Sequence, residues 1–389
     1  MHPTPDPRLP TSLLPMEPQR LMTELQTRGL NLPEATPGVA GRKGGAGPSD
    51  HRAVTIDGRT VMVPIYTGTA SQSPYGVADD RRDLNQDDLD RGTLNQGQLT
   101  YDHQPIGSIS FPKAPQFYGL STADGIPYWK IALLHSHDVL ATTVQQTCRR
   151  YRDEATACQF CAIEKSLAHD RTIARKTPDQ LAEVAEAAVR LDGVTHMIMT
   201  TGTPNSSDRG AAYLSDCARA IKARVSLPIQ AQCEPPDDFA WFSRMKAAGI
   251  DSLGMHLEAV EESVRARIMP GKAEVPVSYY FDAFEAAVKV FGWGQVSTYL
   301  LAGLGDSLET LVDTSDRLIR LGVYPFVVPF VPISETPLSH HPAPSTDFMF
   351  ALYQRVGQLL QTAGMTSDTM NAGCAKCGAC SALSTFERS

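Results

Sequence analysis

Six of the eight cysteines in this 389-residue chain fall into two tight groups of three. Cys148, Cys158 and Cys161 form one group, and Cys374, Cys377 and Cys380 the other. No other feature constrains the fold as strongly, because each group has to be gathered around something. The start, Met1-His2-Pro3-Thr4-Pro5, has no basic stretch followed by an apolar one, so no export signal is expected. Clustered thiols in a reducing compartment hold metals more often than they form disulfides. A cytoplasmic protein is the expectation. The net charge of −8 disfavours nucleic-acid binding through counterion release. No apolar run reaches the roughly 18 residues of a membrane span.

The chain divides by composition. Residues 1–19 are proline-rich and read as a disordered tail, since proline fixes φ and lacks an N–H. Residues 20–136 read as an N-terminal extension. It opens with a short helix around Arg20–Leu25 that ends at Gly29. A glycine-rich loop, Arg42 to His51, follows. Val54–Ile56 and Val61–Val63 then form a hairpin about Asp57-Gly58, a favoured type I′ turn. Residues 80–105, with the similar Leu84–Leu89 and Leu94–Leu99 segments, read as a surface insertion.

From residue 137 to 365 short apolar runs alternate with helical patterns. Strands are predicted at 138–144, 195–201, 228–233, 251–257, 295–302 and 324–331. Helices are predicted at 178–191, 208–224, 237–248, 259–268, 280–291, 307–321 and 346–363. Six strand–helix units in series imply a parallel sheet with right-handed crossovers. Six fall short of the eight that close a barrel. The fold class is therefore α/β, a partial (βα)6 barrel with an added β-containing N-terminal layer and a cysteine-rich tail at 366–389. Sites in such folds lie at the C-terminal ends of the strands.

The first cysteine group follows the first barrel strand. Three thiolates are an odd number for zinc, which usually takes four protein ligands in a structural site. They suit a [4Fe–4S] cluster with one iron left open. A redox or zinc knuckle is the alternative. A three-cysteine loop in this place, ending Cys158-Gln159-Phe160-Cys161, resembles the radical S-adenosylmethionine (SAM) superfamily. The usual gaps are three residues, then two. Here the first gap is nine residues.

The resemblance implies a fold, cofactors and contacts. SAM would bind the open iron through its amino and carboxylate groups and yield a 5′-deoxyadenosyl radical. Phe160 would pack by the adenine. Thr201, Gly202 and Thr203, where a Gly-Gly-Glu is usual, would face the methionine amino group. Glu234 could reach the same site. His256 and Glu258 are two apart on one strand and share a face. They would contact ribose or substrate, or form a structural pair. Gly303 and Gly305 would lie against the adenine. Cys233 reads as a packed strand residue. An electron donor such as flavodoxin or ferredoxin is implied, and a partner enzyme is left open.

The tract from Gly249 to Pro332 resembles biotin synthase-related proteins. With the Gly44–Pro48 loop and its hairpin, it is similar to split lipoyl synthases and to a radical SAM family encoded beside nitrilases. Cys374, Cys377 and Cys380, at two-residue intervals with glycine and alanine spacers, suit a second [4Fe–4S] cluster. Zinc completed by a distant His or Cys217 is the alternative. Ser381, Ser384 and Ser389 are candidate oxygen ligands, and the glycine-rich loop with Arg42 or Lys43 could cap the barrel mouth. Two functions follow. One is hydrogen abstraction from a small-molecule or acyl substrate with sulfur insertion from the second cluster. The other is a nitrilase-linked reaction on a small nitrogenous metabolite, with the tail as electron relay or structural zinc. In the first, the tail is expected to fold back over the barrel mouth, so that both cysteine groups face one cavity. A tail on the opposite face of the barrel is expected to remove sulfur donation and to favour a structural metal.

Overall fold

The computed structural model describes residues 17–32, 51–65, 70–78 and 96–387. The first sheet is built from β1 (His51–Ile56), β2 (Arg59–Pro64), β3 (Tyr75–Ala78), β4 (Gln96–Tyr101) and β5 (Gln104–Ser110), in the order β2-β1-β5-β4-β3. The β1–β2 hairpin turns as its sequence predicts. Asp57 and Gly58 take φ of 49° and 75°, the positive pair that a type I′ turn needs. The helix Pro18–Arg28 lies against this sheet and ends at Gly29, with φ of 79°.

The second sheet holds β6 (Leu133–His135), β7 (Val139–Thr143), β8 (His196–Thr200), β9 (Ile229–Gln232), β10 (Ser252–Gly254), β11 (Val296–Ala302) and β12 (Val323–Pro329). They lie in sequence order. β6 pairs antiparallel with β7, and β7 to β12 are parallel throughout. β6 and β12 are the two edges, so the barrel is open. Six parallel strands give the partial (βα)6 barrel expected.

Helix entry follows local chemistry. Thr177 caps Pro178–Asp192 in a reciprocal capping box with Gln180, and Gly193 closes the helix in the left-handed region. Ser307 and Ser345 cap Leu308–Leu321 and Thr346–Ala363 in the same way, each accepting from the third residue on. The inner wall alternates with the outer, so His196, Ile198 and Thr200 of β8 or Gln230 and Gln232 of β9 each point to one side.

Three differences from the sequence reading have physical causes. The barrel sheet begins at Leu133, because β6 is too short to show a period of its own. Residues 96–105 form β4 and the start of β5 and are not a surface insertion. Their polar residues face outward from a sheet that is wet on one side. The strand at 251–257 stops at Gly254. Beyond it, Glu258 adopts a φ of 67° and keeps only a single bridge to Leu300. The tail at 1–16, the glycine-rich loop with Arg42 and Lys43, the Leu84–Leu89 segment and Ser389 lie outside the described residues.

The C-terminal tail determines the architecture of the site. The helix Thr346–Ala363 carries the chain back to the N-terminal ends of the strands. There Gln295, just before β11, donates to Thr369 O at 2.9 Å and accepts from Asn371 N at 2.9 Å. Gly373 N donates to Nδ1 of His196, the first residue of β8, at 3.3 Å. The N-terminal layer holds the tail from outside: Met62 N donates to Ala379 O at 2.7 Å, and Ala382 N to Gln26 Oε1 at 3.1 Å. The tail therefore plugs the base of the barrel. The expectation that it folds over the mouth is corrected. Cys374 and Cys380 reach the lumen from below.

Candidate active site

Thr143 ends β7, and the loop that follows carries Cys148, Cys158 and Cys161 at the C-terminal ends of the strands. Cys161 N donates to Cys158 O at 3.0 Å, and Gln159 N to Ile268 O at 2.8 Å, which pins the Cys-x-Phe-Cys turn to the opposite wall. Phe160 and Cys158 pack against Met269, Leu304 and Phe330. Burial pushes Cys161 up to about 12 and Cys158 well above the usual thiol range. Nearby thiols push in the same direction: Cys148 acts on both, and Cys161 on Cys158. Thiolates here require compensating positive charge, which a metal centre supplies.

Gly202 sits where the next strand meets this loop. A Cβ there would stand 2.2 Å from Thr147 O, so only glycine lets the two loops touch. Thr203 Oγ1 donates to Glu234 Oε1 at 2.8 Å, and Glu234 also pairs with Arg150. Burial would push the Glu234 carboxyl up, but Lys272 and Arg150 outweigh it and hold the group below its usual range. Lys272 Nζ in turn lies 2.7 Å from Glu258 Oε2. Burial alone would strip its proton. Glu258, Tyr280 and Glu234 more than offset that, and the ammonium stays charged. His256 is buried and pushed down to about 3, so it is neutral. Its Nδ1 accepts from Tyr299 N at 3.3 Å.

Four polar atoms in this upper region are buried without a hydrogen-bond partner: Arg150 Nε, Glu234 Oε2, His256 Nε2 and Tyr280 Oη. Each such atom costs about 1–3 kcal/mol unless something pairs with it. Of the four, His256 alone lines the cavity, where its Nε2 can pair with a ligand hydroxyl. Three thiols on one loop, two of them pushed up by burial, fit the three-ligand cluster site. Gly303 and Gly305 have reasons within the chain. A Cβ on Gly303 would meet Pro344 at 2.7 Å and one on Gly305 would meet Arg267 at 2.6 Å.

The second group enters from the base. Cys374 and Cys377 open and close one helical turn. Gly373, with φ of 116°, precedes it. A Cβ there would stand 2.3 Å from the Gln230 amide. Gln230 Oε1 accepts from Cys374 N at 3.2 Å and from Gln232 Nε2 at 2.8 Å, and Gln232 Nε2 also donates to Cys374 Sγ at 3.0 Å. Tyr299 shares a hydrogen bond with Cys374, and Ser136 with Cys377. His135 Nε2 lies 3.4 Å from Cys380 Sγ. Burial pushes Cys377 up to about 12. The remaining cysteines are packing residues: Cys217 is buried in a helix, and Cys233 is 7 % exposed behind β9.

One cavity of about 390 Å³ runs through the lumen between the two groups. Cys161, Phe160, His256 and Glu258 line it above, and Cys374, Cys380 and His135 below. Its middle is apolar, with Ile198, Leu301, Val328 and Phe330. His256 and Glu258 reach the cavity from the segment beyond the end of β10 at Gly254. Thr201, Gly202, Thr203 and Glu234 stand behind the wall, and Thr200, Thr143 and Gln146 take the lining positions. Sequence reading missed these three, and also Tyr299, Gln232 and His135. Tyr299 and Gln232 were legible as polar residues inside strands that should be apolar.

Residues 144–318 match the model of the Radical SAM superfamily. The bacteriochlorophyllide c C-7(1)-hydroxylase of Chlorobaculum limnaeum is 32% identical over 135 residues, 34% of this chain and 33% of that protein. The lipoyl synthase of Marinobacter nauticus is 26% identical over 173 residues, 43% of this chain and 47% of that one. The chain thus spans between a third and a half of the curated relatives' length. The crystal structure of methylornithine synthase superposes with a TM-score of 0.44 at 16% identity, covering 58% of this chain and 62% of that one. Among the described residues, no helix is long and apolar enough to cross a membrane. With the cysteine loop at the head of the matched segment and five of the six parallel barrel strands at or within it, residues 144–318 form a radical SAM domain.

Proposed function

We propose that the chain abstracts hydrogen from a small-molecule or acyl substrate held in the lumen, and that an iron–sulfur cluster on Cys374, Cys377 and Cys380 inserts sulfur at the activated carbon. The tail enters from the base, the placement expected to favour a structural metal. The observation that supports a donor role instead is that Cys161, Cys374 and Cys380 nonetheless line one cavity. A carbon radical is short-lived, so whatever quenches it has to lie within contact of the same substrate.

When bound, a [4Fe–4S] cluster on Cys148, Cys158 and Cys161 with SAM supplies a 5′-deoxyadenosyl radical, and reduced flavodoxin or ferredoxin is the proposed electron source. The chain's own residues do the rest. Behind the wall, Arg150 and Glu234 pair with each other and brace the cysteine loop. Neutral His256, which lines the cavity, offers Nε2 to a hydroxyl. The apolar middle excludes water and seats a hydrocarbon segment of the substrate. Lys272 neutralises Glu258, so no net charge faces that segment. The match to a lipoyl synthase favours this reading over a nitrilase-linked reaction.

The test is the triple variant Cys374→Ala, Cys377→Ala, Cys380→Ala, assayed anaerobically with acyl and small-molecule candidates. Reductive SAM cleavage should persist while sulfur-containing product disappears. Full product formation by this variant would overturn the proposal.

A further inference from the structure

The serines of the tail do not complete the lower site. The Ser381 hydroxyl donates to the Val327 carbonyl and accepts from Leu383 N at 3.2 Å, so it is spent capping the turn Ala382–Thr385. A nitrogen stands closer. His135 ends β6, is 5 % exposed, lines the cavity and brings Nε2 to 3.4 Å from Cys380 Sγ. Its backbone is fixed by pairing with Val139.

We propose that His135 is the fourth protein ligand of the auxiliary site and shares one metal with Cys380. The inference rests on reading the tail as an iron–sulfur site, and it deepens that reading. The separation carries it. Bonds of about 2.3 Å to a thiolate and about 2.0–2.1 Å to an imidazole, at tetrahedral angles, place two ligands of one metal about 3.5 Å apart. In a four-iron cluster no two protein ligands share an iron, and ligands on different irons stand further apart.

Ligands in pairs are the pattern of a [2Fe–2S] cluster. Cys380 and His135 would take one iron. Cys374 and Cys377, three residues apart on one face of a helical turn, would take the other. Histidine in place of cysteine on such an iron is established chemistry and raises the reduction potential. The neighbouring donors fit this arrangement. Gln232 and Tyr299 reach Cys374 and Ser136 reaches Cys377, so each thiolate on the second iron is already hydrogen-bonded.

The experiment uses the anaerobically reconstituted holoenzyme without SAM, grown with ¹⁵N-histidine and reduced. Iron analysis and pulsed EPR are read at temperatures where four-iron clusters relax too fast to be seen. The expected result is about six irons per chain, four above and two below. A strong histidine-nitrogen coupling should accompany them. It should vanish in His135→Cys, whose thiolate keeps the iron count, and persist in His51→Ala, which removes another buried histidine of the same cavity lining. About eight irons with no histidine coupling would overturn the inference and leave the auxiliary-cluster reading standing. Coupling that survives His135→Cys but is lost in His51→Ala would also overturn it. About four irons would remove the auxiliary cluster itself.

Discussion

The two ends of the lumen are built from the same donor atom on different principles. Above, the cysteines sit on a loop surrounded by buried charge, Arg150 with Glu234 and Lys272 with Glu258, and four polar atoms there lack partners. Below, the cysteines sit on a tail held by neutral groups: Gln230, Gln232, Tyr299, Ser136 and His196. Unpaired buried polar atoms are costly and persist where a ligand pairs with them. The Gln230–Gln232 amide pair, bonded to each other and to Cys374, instead fixes geometry. The upper end is thus a receptor for a charged cofactor. The lower end is a rigid mount.

The largest expected effect separates the two ends outright. Cys158→Ala should abolish deoxyadenosine formation, while the triple change at Cys374, Cys377 and Cys380 should leave it intact and remove product. Equal loss of SAM cleavage in both variants would erase the functional distinction.

The next effect tests the charged character of the upper end. Glu234→Gln leaves Arg150 buried without its counter-charge and should cost about 3–5 kcal/mol, read by denaturant unfolding of the apo protein. SAM affinity should fall with it. A loss below about 1 kcal/mol would mean that solvent reaches the pair.

The mount is tested by Gly373→Ala. The left-handed φ and the overlap with Gln230 together should cost about 2–4 kcal/mol. Auxiliary iron should be lost with the upper cluster retained. Unchanged iron content would show that the amide network does not set the tail's position.

The smallest effect is a pH dependence. His256 is held at about 3 in the folded protein against 6.5 unfolded, so the unfolded chain takes up the proton first. Its contribution is complete above about pH 6.5. It is lost as the pH falls towards 3, with a slope approaching about 1.4 kcal/mol per pH unit. Unfolding of the apo protein between pH 7 and 5 should become less pH-dependent in His256→Gln. An unaltered slope would indicate that His256 is hydrated.

Much of this was legible in the residues. The barrel strands and helices fell close to their predicted positions, because each carried its own period and cap. The span at 251–257 failed, because apolar content there continues past the point where Glu258 turns the backbone out of the ladder. β3 to β5 went unread because their residues are mixed and their pairing is non-local. His256 and Glu258 were expected on one face from a period of two, but both lie beyond the end of β10 at Gly254, so another geometry brings them to the cavity. The partners of Glu234 and Glu258, Arg150 and Lys272, lie 84 and 14 residues away and had no local signal.

What the sequence determined by itself was therefore local: two sets of three thiols, the number of strand–helix units, the hairpin turn and the caps. These depend on neighbours within a few residues, where spacing fixes geometry. Only the tertiary structure decided that the tail enters from the base and brings Cys374 and Cys380 into one cavity with Cys161, more than 200 residues earlier. That choice depends on Gly373 fitting against Gln230, and on the N-terminal layer closing over Ala379. Such contacts join distant parts of the chain through packing and hydrogen bonds, and no pattern along the sequence encodes which distant surface a segment will meet.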